Sequence, residues 1–340
     1  MSRREEVVDI ADIDLSRREL LGGVVGGGLT LGGGKAVDNI FVGYGILTGT
    51  NLLTQDLERY VRQRFPTDGV ATTLDGYQVG LGADAVTVRA LDGTGHRVPV
   101  EDASVHGLPE VPEPVNGLVN DLSAIGAGEF EFAFSQTTQF FDRIAGADAR
   151  PATVDAVRGV RFRTPPIEVV RRFADTDPAA VAPMVEGLAW GFREFSRYDF
   201  ARYAAGSVED NVLFGAGDLR DPFRSPAGFE GLLVGENTGL FCYEFAYRSI
   251  EAFHAVPPTD QSVPVLGAVV TDARHKHVYT GIASVIREGG NLVVPMTFVD
   301  YTHSTLYDDF GFREVLDEGI EAYNDRHRTT DVFWNRYARW

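Results

Sequence analysis

The stretch of sequence that decides the fold is residues 236–246, which read ENTGLFCYEFA and contain Cys242, the only cysteine among 340 residues. The apolar spacing from this point predicts a helix that begins near Cys242 and ends near His254. Three apolar runs typical of strands follow the helix, at residues 263–270, 277–286 and 292–299. A helix followed by adjacent strands predicts an α+β fold, in which a helical layer packs against an antiparallel sheet.

Two polar residues stand at the ends of these predicted strands. His277 opens the second strand and Asp300 follows the third. A thiol at a helix N-terminus, with a histidine and an aspartate later in the chain, is a known arrangement of nucleophile, base and orienting group. A single free cysteine is more often a small buried apolar side chain, so Cys242 alone does not predict a reactive site. The ordered set of cysteine, histidine and aspartate does predict one. His275 lies on the same strand face as His277 and is the alternative base.

Three segments resemble the transglutaminase-like, or more broadly papain-like, cysteine enzymes. Residues 239–246 (GLFCYEFA) are similar to the nucleophile helix of that superfamily, residues 277–280 (HVYT) to its histidine strand, and residues 298–302 (FVDYT) to its Asp-x-Thr strand end. The resemblance covers about a third of the chain, roughly residues 190–310. The sequence departs from the pattern in three places: an extra residue separates the glycine from the cysteine, the spacing from histidine to aspartate is long, and Val278 stands where an alanine or glycine is common.

The resemblance implies a transglutaminase-like core and acyl transfer at a peptide or side-chain amide through a thioester at Cys242. His277 would be the base, and Asp300 would orient it. The resemblance also implies an oxyanion donor upstream of the cysteine, for which Asn237 and Trp190 are the candidates. Water as the acceptor would make the chain a protease or amidase, and an amine acceptor would make it a cross-linking enzyme. The implied partner is a peptide or protein substrate, and no cofactor is implied.

Two other interpretations stay open. A catalytically inactive transglutaminase-like module would serve as a cell-surface binding domain, in which Cys242 is unreactive. A metallohydrolase would instead bind one metal ion through the nitrogen and oxygen ligands of a second set of residues, which comprises His275, His277, Asp300 and His303. The metal interpretation gives Cys242 and its helix no role, so the metal content of the purified protein separates it from the other two.

The charge balance concerns the solvent and the partners of the chain more than its fold. Acidic residues outnumber basic ones by 49 to 31, the net charge is −18, and only Lys35 and Lys276 are lysines. Such a surface is typical of adaptation to high salt, where screening makes a large net charge tolerable. It argues against a nucleic-acid partner, because phosphate binding requires a basic face. The single cysteine excludes an internal disulfide framework and a zinc site made of several thiolates.

Residues 1–35 are predicted to be a signal segment. Residues 15–21 (LSRRELL) and the glycine-rich run after them resemble a twin-arginine export signal, which implies an exported or cell-surface protein whose N-terminal segment associates with a membrane. The alternative is an ordinary helix, capped by Ser16 and Glu19, in a cytoplasmic protein. Glycines between residues 20 and 34 disfavour that helix, since each costs ~1 kcal/mol relative to alanine.

The rest of the chain divides into an N-terminal strand and helix region, residues 36–165, and a catalytic core, residues 166–340, with a C-terminal helix predicted at residues 312–323. Turn signals separate four predicted strands of the first region, at residues 69–74, 77–80, 85–91 and 96–100. Residues 80–85 (GLGADA) fit a dinucleotide fingerprint, but the alternating residues after them predict a strand and therefore a hairpin turn. The proline-rich residues 107–115 are predicted to be a linker or a long surface loop.

Overall fold

The structure, a computed structural model, describes residues 56–100, 108–159, 162–199, 228–272, 277–302 and 329–334. Within these residues the fold is mixed α+β, with eight α-helices and mainly antiparallel sheets, which confirms the predicted α+β class. The predicted signal segment and the predicted C-terminal helix lie outside the described residues. None of the helices in the described part of the chain combines the length and the apolar character that a membrane span requires.

The N-terminal part is a four-stranded antiparallel meander, preceded by a short helix, α1 (Glu58–Gln63). Its strands lie in chain order and comprise β1 (Val70–Leu74), β2 (Tyr77–Leu81), β3 (Ala85–Ala90) and β4 (Gly95–Pro99). Asp75 and Gly76 both have positive φ, as a two-residue hairpin turn requires, and this turn sets the β1–β2 register. Strands β2 and β3 pair directly across residues 82–84, so the expected hairpin in place of a dinucleotide loop is confirmed.

Three helices and two short strands of the main sheet follow the meander. These elements are α2 (Glu113–Ala127), β5 (Glu131–Phe134), α3 (Thr137–Ala145), β6 (Asp148–Ala149) and α4 (Pro151–Arg158). The predicted linker at residues 107–115 is wrong at its C-terminal end, because α2 already begins at Glu113. Pro114 occupies the first turn of α2, where the missing N–H of a proline costs no helical hydrogen bond.

A group of helices follows and ends in the helix that carries the cysteine. The elements are α5 (Ile167–Ala174), α6 (Val181–Phe195), β7 (Arg197–Tyr198), α7 (Phe229–Leu233), β8 (Gly239–Leu240) and α8 (Cys242–Phe253). Helix α6 packs closely on α5 because it presents Gly191, where a Cβ would collide with the Phe173 carbonyl oxygen. The ring of Phe192 contacts Phe173 on one side and Phe245 on the other, so α8 is tied to this group.

The main sheet has seven strands, which include β5 and β6. Its other strands are β9 (Leu266–Asp272), β10 (His277–Ala283), β11 (Ile286–Glu288), β12 (Asn291–Val299) and β13 (Asp331–Phe333). The strand order is β13-β9-β10-β12-β11-β6, with β5 parallel to β12 and the other pairs antiparallel. Because β5 and β6 precede residue 165, the sheet combines strands from both sides of the predicted boundary.

The predicted strand at residues 277–286 is two strands, because the chain bends after Ala283. Ser284 stabilises the bend: its hydroxyl donates to the Pro264 carbonyl at 2.6 Å, and its N–H donates to the Pro295 carbonyl at 3.0 Å. The bend lets β12 pair with β11 over its first residues and with β10 over its last.

Both faces of the main sheet are covered, since every residue of β9 and β10 is buried. On one face lies α8, where Ser249 and Thr280 hydroxyls are 2.7 Å apart and Gly267 leaves room for Ile250. On the other face lies a core that β9, β10 and β12 share with α2 and the meander. The nearly continuous apolar sequence of these strands follows from burial on both faces.

Candidate active site

The start of α8 is fixed by Glu244, which stands three residues after the N-cap. The Phe241 N–H donates to Glu244 Oε2 at 2.7 Å, and the Glu244 N–H donates back to the Phe241 carbonyl at 2.9 Å. Phe241 itself is extended, with φ −97° and ψ 166°, so the helix begins at the next residue. An acidic side chain at this position satisfies an N–H that the helix leaves unpaired and also matches the helix dipole. Cys242 is thereby the first residue of the helix.

The approach to α8 is held by the parallel pair of β7 and β8. Arg197 N–H donates to the Thr238 carbonyl at 2.9 Å, and Asp199 N–H donates to the Leu240 carbonyl at 3.0 Å. The Asp199 side chain lies over Gly239, where a Cβ would come within 2.7 Å of the Asp199 Oδ2 atom. A larger residue than glycine at position 239 would therefore collide with Asp199, which gives a steric reason for the glycine in the sequence motif.

His277 and Asp300 form a buried pair at the edge where β10 begins and β12 ends. The antiparallel register pairs Thr280 with Val299, which brings the residue after β12 alongside the start of β10. His277 Nε2 lies 2.6 Å from Asp300 Oδ2, and the two residues are 2% and 1% exposed. The second carboxylate oxygen, Oδ1, accepts the Thr302 N–H at 3.0 Å. Both oxygens of Asp300 are thus engaged, and the carboxylate is fixed in orientation.

The charge state of His277 follows from its two polar neighbours. Burial alone would lower the pKa of the His277 imidazole, but the charge and hydrogen bond of Asp300 and the hydrogen bond and charge of Cys242 together raise that pKa to about 10. The raised pKa favours the protonated ring at neutral pH, and Asp300 holds that ring through Nε2. Because Asp300 engages Nε2, Nδ1 is the ring atom left to exchange a proton with the thiol. The structure therefore brings Cys242, His277 and Asp300 together in the predicted order.

Cys242 is a free cysteine that is only partly buried. It packs against a small apolar cluster, together with Tyr243, and that cluster includes Val269 and Val278 of the sheet and Phe333 of β13. A thiol in this position contacts the buried histidine and still reaches solvent. Reactive cysteines in proteins share this combination of a charged neighbour and partial access, whereas structural cysteines are usually enclosed by apolar side chains.

The two predicted oxyanion donors lie at the surface. Asn237 is exposed, in the turn before β8, with a left-handed φ of 45°. Trp190 is 43% exposed, and its ring contacts Phe195 edge-on at 5.7 Å. Among the residues that the structure describes, no side-chain hydrogen bond joins either of them to Cys242. The Cys242 N–H, at the first position of α8, is one of the helix N–H groups without a helical acceptor, so it is available as one donor. The second donor stays a prediction.

The ligand set of the metal interpretation is only partly described. His275, which is also the alternative base, and His303 lie outside the described residues. Within the described ranges, no group of three or more histidine, cysteine, aspartate or glutamate residues could hold a metal ion. The two described members of the set, His277 and Asp300, are hydrogen-bonded to each other.

Sequence reasoning missed the side chains that support the three residues. Glu244 carries a signal that could have found it, since an acidic residue three positions after an N-cap is a standard helix start. The role of Thr302 in holding Asp300 follows from a backbone contact, and the placement of Asp199 over Gly239 follows from a distant pairing. The first contact is local, since an aspartate side chain often accepts the N–H two residues later, whereas the second leaves no local pattern in the sequence.

Comparison of the chain with protein-family models, with curated proteins and with solved structures finds no match.

Proposed function

We propose that the protein is a transglutaminase-like cysteine enzyme, which transfers the acyl group of a peptide or side-chain amide through a thioester at Cys242. The observation that carries the proposal is the buried His277–Asp300 pair at 2.6 Å, together with the influence of Cys242, which helps to raise the pKa of the His277 imidazole. An imidazolium beside a thiol at a helix N-terminus favours the thiolate, which is the nucleophilic form.

The first half of the proposed reaction breaks the amide. The Cys242 thiolate attacks the carbonyl carbon and forms the C–S bond, and the oxyanion accepts the Cys242 N–H. The His277 imidazolium gives its proton to the leaving nitrogen as the C–N bond breaks, so an amine departs and a thioester remains. Asp300 keeps the ring oriented and stabilises its positive charge until the proton leaves.

The second half returns the enzyme to its starting state. Water or an amine attacks the thioester carbonyl, and neutral His277 takes the proton of the attacking group. The C–S bond then breaks, the acyl group leaves on its new acceptor, and thiolate and imidazolium are restored. Water as acceptor makes the reaction hydrolysis, and an amine makes it cross-linking.

The proposed partner is a peptide or protein, and the acidic surface supports a partner other than nucleic acid. The resemblance of residues 15–21 to a twin-arginine signal supports an exported or cell-surface location. Exchange of Arg17 and Arg18 for lysine should retain the protein in the cytoplasm of its source cell. Unchanged fractionation of that variant would remove the support for export.

The experiment that tests the site is alkylation of Cys242 by iodoacetamide in high salt, followed by intact mass over a pH series. We expect labelling to persist well below the pH at which a free thiol ionises, ~8.5. His277→Ala should slow labelling at neutral pH by about tenfold or more, because the thiolate loses its partner. His96→Ala, in the meander strand β4, is the matched control and should label like the parent.

Equal labelling rates in the parent and in His277→Ala would overturn the proposed site and favour the inactive binding module. With the site supported, the acyl product then separates the two reactions, because hydrolysis of a peptide amide yields a carboxylic acid and amine incorporation yields a new amide. Cys242→Ala is the blank for that assay, and activity that survives in this blank would also contradict a thioester mechanism.

A further inference from the structure

We infer that Tyr279 is a positioning residue for the His277–Asp300 pair and that Thr329 holds Tyr279 in place. This inference rests on the proposed function, since it concerns how the base of that reaction is kept in one orientation. Tyr279 is 1% exposed and lies in β10, two residues after His277. The proposed chemistry gives this buried hydroxyl no role of its own.

The first contact is with the base. The Tyr279 and His277 rings are stacked, with centroids 6.1 Å apart and planes inclined by 23°. Residues two apart in a strand point to the same side, so the pairing of the rings follows from the regular geometry of β10. A large flat ring against an imidazole limits rotation of that imidazole about its Cβ–Cγ bond.

The second contact is with the partner of the base. The β10–β12 register pairs Thr280 with Val299, so the next pair outward places Tyr279 opposite Asp300. Burial raises the pKa of the Tyr279 hydroxyl well above its ordinary value, and the charges of Asp272 and Asp300 add to that effect. The raised pKa favours the neutral hydroxyl. Tyr279 thus lies against both members of the His277–Asp300 pair.

The third contact fixes Tyr279 itself. Its hydroxyl lies 3.0 Å from Thr329 Oγ1, and its ring meets the Phe298 ring edge-on at 6.1 Å. Thr329 is itself held in place, because the next residue, Thr330, donates its N–H at 2.8 Å and its hydroxyl at 2.9 Å to the Thr271 carbonyl. Strand β13 continues from this point along β9. The tyrosine is therefore anchored at its hydroxyl, while its ring faces the imidazole.

The consequence concerns the geometry of proton transfer. His277 serves both halves of the reaction only if Nε2 stays on Asp300 while Nδ1 faces the sulfur. Without the Tyr279 ring the imidazole gains a cavity into which it can turn, and displacements of this kind cost large factors in rate even when every reacting group is present.

The test compares three single variants and one double variant by the pH profile of Cys242 alkylation and by thermal unfolding. Tyr279→Leu removes the ring and should slow alkylation at neutral pH by about tenfold, because loss of positioning has effects of that size or larger. Tyr279→Phe keeps the ring and loses the hydroxyl, so it should slow alkylation by only about two- to threefold. Thr329→Val should slow alkylation as much as Tyr279→Phe does, because each removes the same hydrogen bond. The double variant should therefore be no slower than either single variant.

A buried aromatic ring that belongs to a different apolar cluster from Tyr279 provides the control for loss of packing. Phe140 is fully buried among apolar residues of another cluster, and Phe140→Leu should lower the unfolding temperature and leave the alkylation profile unchanged. If Tyr279→Leu alters only the unfolding temperature, as Phe140→Leu does, the positioning role is overturned. That result differs from failure of the proposed function, in which His277→Ala alkylates like the parent.

Discussion

Asp300→Asn keeps the size of the side chain and removes its charge, and we expect it to cost the folded protein several kcal/mol. The pKa of His277 is about 10 against an ordinary value of 6.5, which corresponds to on the order of 5 kcal/mol in favour of the charged ring. Removal of one partner from a buried charged pair costs about 3–5 kcal/mol. An asparagine oxygen can still accept a hydrogen bond from His277 Nε2, so the loss should lie toward the lower of these values.

The pH dependence of this loss has a definite sign. The pKa of His277 is higher in the folded protein than in the unfolded chain, so the folded state binds the proton more tightly. The stabilisation is complete below about pH 6.5 and is lost as the pH rises through about 10. Asp300→Asn removes the charge that contributes most to the raised pKa of His277, while the opposing effect of burial remains. The decline in stability over this pH range should therefore be smaller in the variant than in the parent.

The assay is urea unfolding of the parent and the variant at fixed high salt, across that pH range. Glu288→Gln is the matched control, because Glu288 forms an ion pair with Arg143 in which both side chains are about one-third exposed. The control should cost less than about 1 kcal/mol and should leave the pH dependence unchanged. A parent whose unfolding free energy stays constant over the range, or falls as much in Asp300→Asn, would refute the reasoning.

Two further predictions concern the scaffold. Asp121 is fully buried and accepts hydrogen bonds at 2.8 Å from both Arg150 and Arg287. In a denaturant titration, Asp121→Asn should therefore lower the unfolding free energy by about 3–5 kcal/mol. A loss below about 1 kcal/mol would contradict this role. Gly239→Ala should slow Cys242 alkylation and lower the unfolding temperature, because the new methyl group meets the Asp199 carboxylate. The double variant Gly239→Ala with Asp199→Ala should recover the alkylation rate and the unfolding temperature. A double variant no better than the single one would show that this contact is not the cause.

The elements that the sequence predicted well are those whose signals are local. Asp-Gly turns separate β1 from β2 and β3 from β4, and α8 combines an acidic N3 residue with a regular apolar face, so their bounds differ from the predicted ones by a residue or two. The proline-rich start of α2 predicts a linker because proline marks both loops and first helical turns. The bend at Ser284 depends on the Pro264 carbonyl, which is distant in sequence, and no local pattern announces it.

The same distinction between local and long-range signals applies to the candidate site. The order of Cys242, His277 and Asp300 along a helix and two antiparallel strands predicted that they could meet, since the register of adjacent strands brings their ends together. The second oxyanion donor could not be predicted, because it depends on how loops approach the helix N-terminus. The sequence also does not predict that β5 and β6 belong to the main sheet, because strands paired across more than a hundred residues share no local sequence pattern.

The C-terminal residues that the structure describes contact helix α1 and form the edge strand of the main sheet. The Trp334 indole N–H donates to the Val61 carbonyl at 3.1 Å, and β13 forms the edge beside β9. Contacts so distant in sequence form slowly, because a long loop must close before they can stabilise anything. A ribosome releases the chain in order, so β13 and Thr329 reach the sheet only after the rest of it has emerged. If Tyr279 positions His277 as we propose, a nascent chain that lacks this segment would hold the thiol before its proposed base is anchored.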